Sequence, residues 1–359
     1  MPKMSDNLSL NTFETLQTIL NNYDLKLFNA DSHRKIWRLK TSEGLKYLKK
    51  SKLNPDELFF IAELLEFLTD NQFKTAPEYI KTRQGTPFAY QNNEIWVLTD
   101  WHQGEELNFE QINDLREATY FLAYFHLHAE GFHPSSPNFR THWYSWPSKL
   151  ENRLKDLLDF RSLAFSEKED SAFSRLYLRY FEPFYRQAME SYERLLNSFY
   201  QVVAQNGFLR QCVCHHDYSG RNVMRNDERQ LILVDFDYSL RDLRIHDLIN
   251  LIVRNLKHNE WDVRLCRFIL QEYHRIYPIT PEEIEVLYVL LSWPQDFWQV
   301  GLQYYYEKLP WPQNRFIKKL EHKIDCRFQR ARFLELFPVE NGIFHWKESV
   351  DDELISQSK

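Results

Sequence analysis

Glycine is scarce in this chain, with only 8 glycines among 359 residues. Glycine lets the backbone approach a phosphate group closely, because it has no side chain in the way. Such scarcity argues against a glycine-rich phosphate-binding loop, so any phosphate group would have to be held by the backbone amides of other residues.

Other absences exclude several classes of protein. The four cysteines show no regular spacing and no secretory signal precedes them, so we expect synthesis in the reducing cytoplasm. No apolar run is long enough to span a bilayer. The formal net charge of −6, from 45 basic and 51 acidic residues, argues against a nucleic-acid partner.

What is present predicts a folded protein with two packed lobes. Hydrophobic residues make up 43% of the chain and aromatic residues 16%. Residues 25–50 alternate as strands, Asn54-Pro55 opens a helix, and further strands end at Leu98. Beyond Gln103-Gly104 the apolar spacing becomes helical. We therefore predict an α+β fold with a small mixed N-lobe of sheet and helix (1–103), a larger, mainly helical C-lobe (104–345) and a disordered polar tail (346–359).

The most informative segment reads Cys-His-His-Asp-Tyr-Ser-Gly-Arg-Asn over residues 214–222 and Leu-Ile-Leu-Val-Asp-Phe-Asp over residues 231–237. Phosphoryl transfer needs a base near the acceptor hydroxyl and oxygen ligands that hold Mg²⁺ against the phosphates. Asp217 is the candidate base, and Asn222 and Asp235 are the candidate metal ligands. The polar turn after Arg225 predicts a hairpin that brings Asn222 and Asp235 to one end of two paired strands. The apolar residues Phe208–Cys214 predict a preceding strand.

Two plainer interpretations of this segment remain open. It is either a solvated loop followed by an ordinary strand, or a metal site built from Cys212, Cys214, His215 and His216. The second interpretation lacks the spaced cysteine pairs of structural zinc sites. Asp237 is either a second metal ligand or simply an acid at the end of a hairpin.

The loop resembles that of the aminoglycoside-phosphotransferase and choline-kinase superfamily, which reads His-Gly-Asp-x4-Asn with a downstream Asp. Within it, the chain most resembles the bacterial CotS-type spore-coat proteins, whose loop has the form His-Gln-Asp-Tyr; His216 fills the second position here. Further matches are Tyr47-Leu48-Lys49, Tyr124-Phe125-His126 with Gly131-Phe132, Phe173–Leu178 and Arg241–Leu248, so the resemblance spans roughly residues 34 to 310.

This resemblance implies a two-lobed, protein-kinase-like fold that uses ATP and Mg²⁺ to phosphorylate an unidentified hydroxyl acceptor. It also implies deposition on the spore coat, with other coat proteins as partners. Lys49, at the end of a predicted strand, would hold the phosphates, while Lys46 and Lys50 point to the opposite strand face. Its expected partner is a glutamate on the next helix, where Glu63 is chosen from Glu57, Glu63 and Glu66; the alternative interpretation is that Glu63 is a surface acid.

The remaining candidates have supporting roles or stay ambiguous. His215 belongs to the catalytic loop and is expected to support it by hydrogen bonds, and Asp247 resembles a superfamily aspartate that braces this loop. The phosphate loop falls near residues 29–34, with Ser32, His33 or a neighbouring amide as donors. His126 fits a core histidine. The aromatic residues Tyr304, Tyr305, Tyr306, Trp293, Trp298 and Trp311 suit either lobe packing or an acceptor pocket.

Two other functions use the same sequence features. A structural coat component could keep the fold and lose turnover, which the missing glycine-rich loop, the uncertain glutamate partner and the aromatic-rich composition would suit. A small-molecule kinase unrelated to spores would keep the catalytic residues and change only the acceptor pocket.

Overall fold

Residues 10–33, 36–136 and 139–337 are described by a computed structural model. The chain divides into two units. The first lies within residues 1–108, 127–140 and 215–239, and the second within residues 109–126, 141–214 and 240–359. The predicted domain boundary between residues 103 and 104 divides the chain at a single sequence position, and it stays a prediction. The spatial units differ from it by grouping residues 215–239 with the amino-terminal part.

The described residues of the first unit form two antiparallel sheets, two α-helices and three short 3₁₀ helices (Asn21–Tyr23, Gly220–Asn222 and Phe236–Tyr238). Its elements are α1 (Leu10–Leu20), β1 (Leu27–His33), β2 (Ile36–Thr41), β3 (Gly44–Ser51), α2 (Pro55–Asp70), β4 (Ala89–Gln91), β5 (Glu94–Asp100), β6 (Glu105–Glu106), β7 (Val223–Arg225) and β8 (Leu231–Leu233). The larger sheet has the order β1-β2-β3-β5-β4 and the smaller one β6-β7-β8.

Strand β3 separates a core face from an open face. Leu48 is fully buried and packs with Leu39 and Leu98 in the hydrophobic core beside α1. Tyr47 and Lys49 point to the opposite face because successive side chains of a strand alternate. The alternation predicted from the sequence is confirmed, and it leaves Lys49 on the face away from the core.

Helix α2 begins where the sequence predicts. The Asn54 side chain accepts a hydrogen bond from the Glu57 amide at 3.0 Å, and the Glu57 carboxylate accepts one from the Asn54 amide at 3.0 Å. This reciprocal arrangement satisfies two amides that the helix itself leaves unpaired, and Pro55 suits the first turn because its position needs no N–H donor.

The second unit is helical. Its elements are α3 (Ile112–Ala129, whose last three residues fall in the range of the first unit), α4 (Trp146–Glu167), α5 (Ala172–Asn197), α6 (Tyr200–Leu209), α7 (Ile245–Leu256), α8 (Val263–Ile276), α9 (Pro281–Ser292), α10 (Gln295–Gly301), α11 (Gln313–Asp325) and α12 (Arg327–Leu336). The predicted break between two long helices at residues 166–171 is confirmed by the gap between α4 and α5.

Two local predictions differ from the structure. The predicted strand Phe208–Cys214 is wrong: α6 continues to Leu209, and only an isolated bridge pairs Cys214 with Leu240. A short apolar run does not distinguish a helix end from a strand by periodicity alone. Residues 29–33 of the predicted phosphate loop belong to β1, and Arg34 lies outside the described residues, as does the predicted tail.

Candidate functional site

Lys49 lies between two carboxylates of the first unit. Its Nζ atom is 2.7 Å from Asp235 Oδ1 and 2.7 Å from Asp237 Oδ2. Burial lowers the pKa of Lys49, but the charges of Asp237 and Asp235 outweigh burial, so the net pKa is raised. Lys46 bonds instead to Asp100 at 2.6 Å, as its position on the other face of β3 requires. The structure thus brings together Lys49 and Asp235, which lie far apart in sequence.

The hairpin of β7 and β8 positions the two candidate metal ligands. Val223 pairs with Leu233, and the Val234 amide donates to the Asn222 carbonyl at 2.9 Å. Asn222 and Asp235 therefore lie at the same end of the hairpin, which confirms the predicted placement. Asp235 has a left-handed backbone with φ 64°, a conformation that aspartate adopts more readily than most residues. This turn directs the chain into the segment that carries Asp237.

Asp217 and Asn222 are linked within the catalytic loop. The Asn222 Nδ2 amide donates to the Asp217 carbonyl at 2.8 Å and to Asp217 Oδ2 at 3.1 Å. His215 is fully buried: its Nδ1 accepts from the Asp217 amide at 3.3 Å, and its Nε2 lies 3.0 Å from the Val234 carbonyl. Because both ring nitrogens of His215 have protein partners, the alternative zinc site has no free nitrogen at this residue.

These polar groups line a cavity of about 460 Å³ in the first unit. Its lining includes Lys49, Asp217, Asn222, Asp235 and Asp237 together with Ile36, Tyr47, Leu65, Tyr79, Val97 and Trp101. Burial raises the pKa of Tyr47 to about 12, although the Lys49 charge opposes the shift. The cavity therefore has both apolar and charged lining residues. A ligand that combines a flat ring with a charged group could contact both.

The predicted pairing of Lys49 with Glu63 is not formed in the structure. Glu63 accepts from the Ser135 amide at 2.9 Å and from the Ser135 hydroxyl at 2.5 Å. Glu66 pairs with Lys81 at 2.8 Å. The periodicity of α2 could not resolve this choice, because it defines which face each glutamate occupies but not which partner lies opposite.

Arg140 belongs to this cluster although no sequence motif includes it. Its guanidinium donates to the carbonyls of Asp237 at 2.7 Å and Ser239 at 2.9 Å, and lies 3.4 Å from Glu57. It connects the amino-terminal end of α2 to the segment that carries the two carboxylates. No motif marks it, since its partners are almost one hundred positions away in the chain.

Asp247 lies in the second unit and is fully buried at the start of α7. Its Oδ2 is 3.2 Å from His126 Nε2, and His126 Nδ1 is 2.7 Å from the Tyr273 hydroxyl. Burial lowers the pKa of His126 even though Asp247 opposes the shift. His126 is therefore a core histidine with both nitrogens paired, while the bracing role of Asp247 stays a prediction.

The aromatic cluster of the second unit is mostly internal. Tyr304 stacks on Phe173 with ring centroids 4.0 Å apart, and Tyr305 and Trp293 are buried. Packing thus accounts for these three residues. Within the described ranges, the helices are all too short or too polar to be membrane-crossing segments.

Comparison with known proteins identifies relatives over most of the chain. The model of a family described as "Spore coat putative kinase YutH" matches residues 16–337. Spore coat protein S of Bacillus subtilis (strain 168) is 24% identical over 313 residues, which cover 86% of this chain and 88% of that protein.

Solved structures show the same fold at low sequence identity. An aminoglycoside phosphotransferase from Alicyclobacillus acidocaldarius has a TM-score of 0.76 at 20% identity, covering 93% of this chain and 96% of that one. Spectinomycin phosphotransferase APH(9)-Ia, in complex with ADP and spectinomycin, has a TM-score of 0.59 at 11% identity, covering 93% and 99%. These likenesses confirm the predicted α+β, protein-kinase-like fold. The family match over residues 16–337 establishes that this chain belongs to the YutH family of kinase-like spore-coat proteins.

Proposed function

We propose that this protein is an ATP- and Mg²⁺-dependent phosphotransferase of the spore coat that phosphorylates a hydroxyl group. The observation that carries the proposal is that Lys49, Asp217, Asn222, Asp235 and Asp237 all line one cavity. The family description and the name of the Bacillus subtilis relative support the spore coat as the location, with other coat proteins as partners.

The residues present suit a hard divalent cation. Asp235 and Asp237 offer carboxylate oxygens and Asn222 an amide oxygen, which are the ligands that Mg²⁺ prefers. Carboxylates outnumber cations in the whole lining, with Asp100, Glu106, Asp217, Asp235 and Asp237 against Lys49 and Arg221. A cation would reduce this excess of negative charge. When bound, Mg²⁺ would neutralise part of the negative charge of the phosphate oxygens.

Each residue then has a distinct role. Lys49 exchanges its carboxylate partners for phosphate oxygens and holds the nucleotide. Asp217 accepts the proton of the acceptor hydroxyl while the new bond forms between that oxygen and the γ-phosphorus. The bond from the γ-phosphorus to the β-phosphate oxygen breaks, and ADP leaves. Asn222 holds the Asp217 carboxylate through its 3.1 Å hydrogen bond, and His215 fixes the loop backbone.

The proposal is tested in two steps on the purified full chain. Isothermal titration calorimetry should detect ATP binding that requires Mg²⁺. Incubation with γ-labelled ATP should then transfer label to coat proteins or to small alcohols. Transfer only to small alcohols would favour a metabolic kinase outside the coat, and absence of Mg²⁺-dependent binding would contradict the proposal.

A catalytically silent coat component is the second candidate, and one observation favours it. Glu57, Glu63 and Glu66 of α2 contact Arg140, Ser135 and Lys81, respectively, and not Lys49. Nucleotide binding without transfer to any acceptor would select this alternative.

A further inference from the structure

A second cavity, of about 380 Å³, lies entirely within the second unit. Its wall is formed by residues of α5, α9, α10, α11 and α12 and of the turn after α7. It shares no residue with the cavity around Lys49. The role proposed for the first cavity therefore does not account for it.

The inner wall of this cavity has more cations than carboxylates. Asp296 Oδ1 is 2.8 Å from Lys257 Nζ, and Asp296 Oδ2 is 3.6 Å from Lys323 Nζ. Arg330 adds a third cation and donates to the carbonyls of Leu291 and Trp293 at the end of α9. This part of the lining thus has three cations against one carboxylate, in a protein whose overall charge is −6.

The outer wall does not reverse this excess. It adds the cations Arg194 and Arg327 and the carboxylates Glu190 and Glu335, so the lining has five cationic side chains against three carboxylates. Burial lowers the pKa of Lys257; Asp296 opposes the shift, whereas Lys323 and Arg330 add to it. Burial and the two neighbouring cations thus lower the pKa of Lys257, and an added anion would oppose this shift.

Two buried hydrogen-bond donors on the same wall lack acceptors. Trp261 Nε1 and Arg330 Nε have no hydrogen-bond partner among the described residues, and the Arg330 guanidinium lies 5.2 Å from the Trp261 ring centroid. Trp261 is buried and has a left-handed backbone with φ 58°, which is uncommon for a bulky residue. A buried donor without an acceptor is unfavourable, so both groups favour an acceptor atom bound beside them.

We propose that this cavity binds a small organic anion. Its carboxylate or phosphate group would lie against Lys257, Lys323 and Arg330, where it would supply the missing negative charge and accept hydrogen bonds. The apolar part of the ligand would contact Trp261 and Phe297, which line the same cavity. The site is independent of the proposed phosphoryl transfer, because no residue of the first cavity takes part.

Titration of the full chain with phenyl phosphate, benzoate and inorganic phosphate at constant ionic strength tests the proposal. Calorimetry should show saturable binding, with phenyl phosphate tighter than inorganic phosphate because its ring contacts the aromatic wall. Comparison of phenyl phosphate with benzoate distinguishes a phosphate from a carboxylate ligand. We expect Lys323→Gln to weaken binding about tenfold, the loss of one charge-assisted hydrogen bond.

Matched variants separate this site from other causes. Lys318→Gln, an exposed lysine of the same helix outside the cavity lining, should leave the affinity unchanged. Glu335→Gln should strengthen binding, because it removes a lining carboxylate. Equal affinities of the Lys323→Gln and Lys318→Gln variants would overturn the proposal, as would loss of binding in Lys49→Ala, which would locate the probe in the first cavity. Absence of saturable binding of all three probes up to about 10 mM would also overturn it.

Discussion

Each unit has a charged cluster of lysine and aspartate. Aspartates outnumber lysines in the first cluster, and lysines outnumber aspartates in the second. In the first unit, Lys49 lies between the carboxylates of Asp235 and Asp237. In the second, Asp296 lies between Lys257 and Lys323. The net pKa of Lys49 is raised and that of Lys257 is lowered. Burial lowers the pKa of both lysines, so the difference comes from the neighbouring charges: two carboxylates beside Lys49, but one carboxylate and two cations beside Lys257.

This difference indicates what each cluster can bind. A partly buried group of charges with an excess of one sign favours a ligand of the other sign, because the low local dielectric strengthens the attraction. The cluster around Lys49 therefore suits a cation, as a metal–nucleotide site requires. The cluster around Asp296 suits an anion. Both clusters are partly buried, and they differ in which sign of charge is in excess.

Asp217 and Asp235 of the acidic cluster are expected to have separate roles in phosphoryl transfer. Asp217→Asn should lower turnover roughly 10²–10⁴-fold while ATP affinity stays nearly intact, because the base acts on the acceptor proton. Asp235→Asn should instead weaken Mg²⁺-dependent ATP binding. Steady-state kinetics and calorimetry on both variants measure these effects. Equal loss of ATP affinity in the two variants would contradict separate roles.

The second prediction concerns the two lysines of β3. Mg·ATP at about 100 times its dissociation constant should stabilise the protein by roughly 2.7 kcal/mol, a rise in melting temperature on the order of 5–10 °C. Lys49→Ala should shrink this rise because it removes the phosphate-binding cation. Lys46→Ala should keep it, since Lys46 lies on the other face of β3 and does not line the cavity. Differential scanning calorimetry measures the rise in melting temperature. An equal rise in both variants would show that the nucleotide binds elsewhere.

Arg140 offers a smaller perturbation of the same cluster. Arg140→Lys should lower kcat about tenfold with little change in KM for ATP, because a lysine cannot reproduce the paired hydrogen bonds that position residues 237–239. Arg83→Lys, on the exposed surface of the same unit, is the matched control. An unchanged kcat in Arg140→Lys would show that this contact only stabilises the fold.

The opposite pKa shifts can be measured directly. After reductive ¹³C-methylation, NMR titration should show Lys257 losing its proton below the ordinary lysine range and Lys49 above it. Since the Lys49 pKa is raised, its ion pairs stabilise the protein fully below the unfolded pKa of about 10.4 and are lost as pH rises through the folded pKa. The Lys257 contribution has the other sign: its effect on stability becomes more favourable as pH rises towards about 10.4. Identical titration curves for the two lysines would contradict the opposite pKa shifts of Lys49 and Lys257.

The smallest effects are expected at two matched helix starts. Asn54 caps α2 in the first unit and Thr280 caps α9 in the second, each with a glutamate three residues later that also contacts an arginine. Asn54→Ala and Thr280→Ala should each lower the free energy of unfolding by about 1 kcal/mol. Urea unfolding measures both. A loss well above this value in only one variant would show that its glutamate–arginine contact depends on the cap.

Local sequence determined much of the fold. Strand alternation placed Lys49 and Lys46 on opposite faces, and the polar turn after Arg225 was sufficient to predict that Asn222 and Asp235 share one end of a hairpin. The capping pattern at Asn54-Pro55 predicted the start of α2. These predictions succeeded because backbone geometry repeats every two residues in a strand and every 3.6 in a helix, so nearby positions carry the information.

Only the tertiary structure decided the partners of the charged groups. Glu63 faces Ser135 and not Lys49, Arg140 holds the carbonyls of Asp237 and Ser239, and Asp296 gathers lysines from two different segments. Helical or strand spacing says which face a side chain occupies but not what lies across from it. The segment Phe208–Cys214 shows the same limit, because its apolar residues suit a helix end as well as a strand. Contacts between distant segments depend on how the elements pack, and that packing results from the whole chain at once.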